Sequence, residues 1–193
     1  MSILILGLVL FLGVHSTRIF AEGWRTQTIA RIGEKPWKGI YSVVSLVGFV
    51  LIIWGFSLAR LQPVVLWTPP VAMKHINSLF TLLAFVLLAA AYVPRNQIRS
   101  RLHHPMILGV KLWAFGHLLA TGTLANAVLF GAFLLWAILD FRAARQRDRA
   151  LGTTYQAGTL GGTLVTAVVG VAAWAAFAFW LHAAWIGIAP LGR

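Results

Sequence analysis

The sequence predicts an all-α protein: one domain over residues 1–193, folded as a polytopic bundle of about six transmembrane helices. Three observations predict it. Hydrophobic residues make up 60% of the chain and charged residues only 10%, whereas an ordinary soluble domain carries about 25% charged residues. The apolar residues come in blocks long enough to cross a hydrocarbon core of about 30 Å, not in alternating or half-polar patterns. The remaining charge is gathered between the blocks, mostly on one side.

The elements follow in order. The first span is expected over about Ile3–Phe20; it lacks a basic leader and a small-residue cleavage site, so it reads as a retained helix rather than a signal peptide. "GEKPWKG" introduces the second, about Ile40–Ala59. "WTPP" opens the third, about Val71–Val93, and "YVPRN" closes it. The fourth, about Met106–Thr121, and the fifth, about Leu124–Phe141, are separated only by "ATGT", which predicts a tight antiparallel hairpin. The sixth covers about Leu160–Trp185. Gly7, Gly13, Gly109, Gly116, Gly131 and Gly170 are expected where helix backbones approach closely.

Orientation follows from the basic residues. Twelve of the 16 lie after the first, third and fifth spans: Arg18, Arg25, Arg31, Lys35, Lys38, Arg95, Arg99, Arg101, Arg142, Arg145, Arg147 and Arg149. Only Arg60 and Arg193 lie in the opposite loops. The positive-inside rule then places the twelve in the cytoplasm and both termini outside, which in a bacterium is the periplasm. The formal charge of +12 is thereby accounted for without nucleic acid. There is no cysteine, which excludes disulfides, thiolate nucleophiles and thiolate metal ligands.

The candidate functional residues are the polar ones at depth. The four acids, Glu22, Glu34, Asp140 and Asp148, are expected in loops or at span ends. That argues against a carboxylate-based proton pump and against Mg²⁺ or Ca²⁺. His103 and His104 fall at the inner start of the fourth span, His182 at the outer end of the sixth, and His75 near the outer start of the third. His15 lies roughly 18 Å and His117 roughly 14 Å below the outer surface, by a rise of about 1.5 Å per residue. Two imidazoles at matched depth on different helices suit axial ligation of heme iron in a helix bundle. The competing reading is that each histidine hydrogen-bonds a neighbouring helix. Arg18, one turn beyond His15, is a candidate partner for a heme propionate. Trp113, one turn from His117, belongs to the cofactor site or to the core. Lys111 has no acid at its depth. It anchors an anionic group of a cofactor or lipid, or it snorkels to the inner surface.

The segments "FLGVHSTRIF", "GEKPWKGIYSVVSLVGFVLIIWG" and "HHPMILGVKLWAFGHLLATG" resemble the characteristic segments of the NnrU family. The resemblance runs from the first span through the fifth, carried by His15-Ser16, His104-Pro105 and Trp113-x3-His117 in that order. It implies a single NnrU-like transmembrane domain in the bacterial inner membrane, associated with denitrification, specifically with nitrite and nitric oxide reduction. The family also includes heme-dependent 15-cis-zeta-carotene isomerases. The resemblance therefore implies heme b, with His15 and His117 as the iron ligands. The partners it implies are membrane lipid, an apolar polyene or nitric oxide, and denitrification proteins. One departure bears on activity. In the isomerases a cysteine precedes the second histidine by three residues and takes part in a redox ligand switch; here that position is Ala114. Three readings stay open: a heme protein without catalysis, a heme-dependent cis–trans isomerase of zeta-carotene or another polyene, and a cofactor-free structural or partner-binding protein. A fourth, weaker reading comes from "HHP", which resembles the Arg-His-Pro-x-Tyr element of isoprenylcysteine-type methyltransferases. Here His103 and Ile107 replace its arginine and tyrosine.

Overall fold

The computed structural model describes residues 1–191 and is helical throughout, with no strand among them. Arg193 lies outside the described residues. The chain opens with α1 (Ser2–His15), a short turn α2 (Thr17–Phe20) and α3 (Glu22–Ile32). Then come α4 (Glu34–Ala59), α5 (Ala72–Tyr92), α6 (Gln97–Leu102), α7 (Pro105–Ala120), α8 (Leu124–Leu151) and α9 (Leu160–Ala176). A π-helical turn at Phe177–Leu181 carries α9 into α10 (His182–Ile186).

Four helices are long and apolar enough to cross a membrane: Glu34–Ala59, Ala72–Tyr92, Leu124–Leu151 and the continuous Leu160–Ile186. Two shorter apolar helices, α1 and α7, complete the bundle. At about 1.5 Å per residue they measure roughly 21 and 24 Å, short of a core of about 30 Å. The expected first span is thus interrupted after His15. Ser16 separates α1 from α2, and Ala21, with φ −138° and ψ 35°, separates α2 from α3. The fourth does not extend beyond its apolar stretch. Pro105 begins α7, where its missing N–H is not needed, and Thr121 is extended.

The fifth helix differs most from expectation. Polarity alone ends it near Phe141, yet α8 runs to Leu151. Its tail, "RAARQRDRAL", is rich in strong helix formers, and only Gly152, in the left-handed conformation, stops it. Asp140 and Asp148 therefore stand on a helix, not in a loop.

The helices are ordered α4, α1, α8, α7, α5, α9 by their contacts. The α1–α4 pair is the tightest. A Cβ at Gly7 would meet the Ile52 backbone nitrogen at 2.6 Å, and one at Gly48 would meet the Phe11 nitrogen at 2.7 Å. Gly109, Gly116 and Gly170 also face neighbours, as expected, whereas Gly13 and Gly131 have open space around them.

The connections are pinned by hydrogen bonds. The α7–α8 turn is as short as "ATGT" implies, and the Gly122 carbonyl accepts from Leu66 and Trp67. At the other end Asn96 is only 1% exposed. Its side chain caps α6 at Arg99 N, 2.7 Å, and donates to the Ala90 and Val93 carbonyls. The Gln97 N–H reaches Thr163 Oγ1 at 3.0 Å, joining α6 to α9. Both described chain ends lie at the pole away from the basic residues. Met1 sits with Leu58 and Leu124, and Arg60 donates to the Ile186 carbonyl at 2.7 Å.

Candidate functional site: an aromatic seam with two histidines

Between α1 and the α7–α8 hairpin, aromatic rings make the contact on the side toward the basic pole. Phe11 and Phe133 pack at 5.9 Å between centroids, Phe133 and Trp113 at 5.5 Å, and Trp113 and Phe130 at 5.1 Å. His15 and His117 sit at the two ends of this run. The His15 ring stacks on Phe11 at 4.3 Å, and the His117 ring stacks on Phe130 at 4.5 Å.

The two histidines are held alike. His15 Nδ1 lies 2.6 Å from the Phe11 carbonyl, and His117 Nδ1 lies 2.8 Å from the Trp113 carbonyl. A carbonyl only accepts, so each Nδ1 carries the proton in this arrangement. Each Nε2 is then a lone pair on an oriented ring, the state in which histidine binds a metal. Trp113 thus supports His117 twice, through its carbonyl and through its ring at 5.4 Å. Near His15 stand Tyr41, at 5.1 Å, and Trp136, edge-on at 6.1 Å. Trp136 Nε1 and Ser45 Oγ are buried without a hydrogen-bond partner.

The matched depth expected of the histidines is not found. His117 is level with Phe130 and His15 with Trp136, which are six positions apart on α8, about 9 Å of rise. The run of rings joining them passes through Phe11, Phe133 and Trp113. Metal–imidazole bonds are about 2 Å long, so two ligands of one iron bring their nitrogens within roughly 4 Å. The donor chemistry fits heme and the flat aromatic lining fits its faces. The stagger sets the two imidazoles at different levels of the seam. α7, at roughly 24 Å, is shorter than the core of about 30 Å, so a depth counted from its inner end does not convert to a depth from the outer surface.

The other candidates are dispersed. Arg18 lies beyond the α1 break and pairs with Glu22 at 3.5 Å. Lys111 directs its ammonium over the Phe141 ring, 4.2 Å from the centroid, toward the basic pole and away from His117. Among the described residues, no group of three or more His, Asp or Glu is arranged to hold a metal ion.

A cluster that sequence reasoning missed lies at the basic pole. The His104 Nε2–H donates to Asp148 Oδ2 at 2.8 Å, and the Tyr155 hydroxyl donates to the same oxygen at 3.0 Å. His103 stacks flat on Tyr155 at 4.2 Å and accepts from Arg145. Its backbone has φ 68°, and the next N–H donates to Leu102 O at 2.8 Å. That is a γ-turn of the rare, strained kind, held by side chains on α8 and the following loop. Burial, then the hydrogen bond to Asp148 and its charge, push the Tyr155 phenol above its ordinary range, so it stays a donor at neutral pH. The "HHP" signal was visible in the sequence; its partners 44 and 51 residues away were not.

Fold and seam together define a polytopic helical protein suited to a membrane, with two oriented imidazoles in an aromatic interior. The chain belongs to the NnrU family: the family model described as NnrU protein matches residues 3–190. No curated protein and no solved structure matches it.

Proposed function

We propose that this NnrU protein is a heme-b-binding integral protein of the bacterial inner membrane, of the kind associated with denitrification. In this reading all six apolar helices serve as spans, with the basic pole in the cytoplasm and both termini in the periplasm, in keeping with the positive-inside rule. The observation that carries the proposal is the shared state of His15 and His117: Nδ1 committed to a backbone carbonyl, Nε2 free, in an interior of aromatic rings. When bound, heme b supplies an iron centre for electron relay or for binding a diatomic gas such as nitric oxide. His117 would hold the iron, with its ring fixed by the Trp113 carbonyl. Phe130, Phe133 and Trp113 would exclude water from it. His15, whose ring is oriented in the same way, would be the second ligand. Isomerase activity is left out of the proposal because Ala114 removes the cysteine on which the isomerases' ligand switch depends.

Protein purified from a heme-replete host should show a Soret band and a low-spin, bis-histidine spectrum. His117→Ala should lose most of the heme, and His15→Ala should turn the residual spectrum high-spin. Colourless, iron-free protein would favour the cofactor-free reading. A folded His117→Ala protein with full heme and an unchanged spectrum would overturn the assignment.

A further inference from the structure

The region beyond the α1 break contains a second candidate site. Helices α1 to α4 line a half-open cavity of about 230 Å³ at the basic pole. Arg18, Arg25 and Lys38 line it together with His15, Thr17, Trp37 and Tyr41. We propose that this cavity binds the phosphate of an anionic membrane lipid. The proposal rests on the membrane orientation given above, and it places the phosphate beside His15, at the end of the aromatic seam.

Four observations support a lipid phosphate. First, the three cations are only loosely committed. Arg18 and Arg25 share Glu22 at 3.5 and 3.1 Å, and Lys38 meets Glu34, itself on the cavity wall, at 2.7 Å. All are pairs three or four residues apart, and the Arg18 and Lys38 side chains are 53% and 71% exposed. Such pairs contribute little, so a phosphate, which forms stronger charge-assisted bonds with guanidinium and ammonium groups, displaces them readily. Second, the size is right for a headgroup. Pockets for whole drug-sized ligands begin at about 300 Å³, so the cavity holds a headgroup and leaves acyl chains outside. Third, the surroundings are interfacial. Phe20 is 73% and Trp24 57% exposed, and Trp24 packs edge-on to Trp37 at 5.6 Å. An aromatic belt beside a basic cluster marks the headgroup level. Fourth, α4 leads from Lys38 into the exposed apolar residues Ile40, Val43 and Val47, a surface for acyl chains.

The test uses delipidated full-length protein in neutral detergent, titrated with dioleoyl-phosphatidylglycerol or dioleoyl-phosphatidylcholine and followed by native mass spectrometry. The anionic lipid should bind about a hundredfold more tightly, by the contribution of about fivefold for each of the three basic residues near the headgroup. An Arg25→Gln/Lys38→Gln variant should lose about thirtyfold of that affinity on the same scale. An Arg31→Gln/Lys35→Gln variant removes the same charge outside the cavity and should keep the preference. Near-UV circular dichroism should match wild type in both, since the substituted groups make only surface pairs. Equal losses in the two variants would assign the preference to diffuse rim charge and overturn the proposal. So would an absent preference, competition by inorganic phosphate as strong as by the lipid, or a cavity variant that loses heme while keeping lipid.

Discussion

The two interfaces of α1 are built on opposite principles. Against α4 it presents Gly7 and receives Gly48 and Gly55, so backbone lies on backbone. Against α8 it presents Phe11 and His15 and receives Phe133 and Trp136, so rings make the contact. In lipid there is no hydrophobic drive between helices; close van der Waals packing is what holds them. The glycine interface is therefore the structural clasp and has no room for a ligand. The ring-filled interface instead brings two imidazoles and several flat rings together. The difference separates the part of the molecule that holds the bundle together from the part suited to binding.

Substitutions at the two interfaces test that division. Gly48→Leu should have the largest effect. Its Cβ would collide with the Phe11 backbone, which cannot move as a side chain can, and overpacking of this kind costs about 3 kcal/mol or more. Loss of cooperative thermal unfolding in detergent, or failure to accumulate in the membrane, is the expected result. Phe133→Ala should cost less, about 2–3 kcal/mol, because it leaves a cavity rather than a clash. If the seam accepts heme, the loaded variant should recover part of that loss, measured as a larger rise in unfolding temperature on heme addition than wild type shows. Equal costs for the two substitutions, with no recovery, would collapse the contrast. Tyr155→Phe removes one of two hydrogen bonds on Asp148 and should cost about 1 kcal/mol, with faster hydrogen exchange confined to residues 152–159. Gly13→Leu should be smallest. It lies on the same helix as Gly7 but has nothing within 4 Å, so the change should stay within about 1 kcal/mol and favour the helix. A large loss there would mean that Gly13 packs against another chain.

The division also explains what could be read from the residues alone. The apolar blocks and the hairpin at "ATGT" are local signals, and the structure keeps both; the 12 basic residues stay together beyond the apolar stretches, although most of them stand on helices rather than loops. The end of α8 was missed because a change of polarity marks a membrane boundary, not a helix end. Helix continues wherever residues of good propensity follow without a breaker. His15 and His117 were recognisable as candidates because polar groups are rare at that depth. Their stagger was not, because it depends on how α1 and α7 slide against α8. Neither Ser16, where α1 ends, nor the level of Pro105 carries a measure of that sliding.

By itself the sequence determined an all-helical, membrane-type bundle, its number of apolar helices, its basic pole and the imidazoles and cations available for binding. These follow from composition and order, because lipid demands apolar surface and a self-satisfied backbone. Tertiary structure alone decided that Gly48 and Gly55 clasp α1, that Phe133 and Trp113 separate the two histidines, that His104 finds Asp148, and that Arg18, Arg25 and Lys38 share one cavity. Those are contacts between residues distant in the chain or on different helices. They are set by shape complementarity between helix faces, which no local pattern encodes.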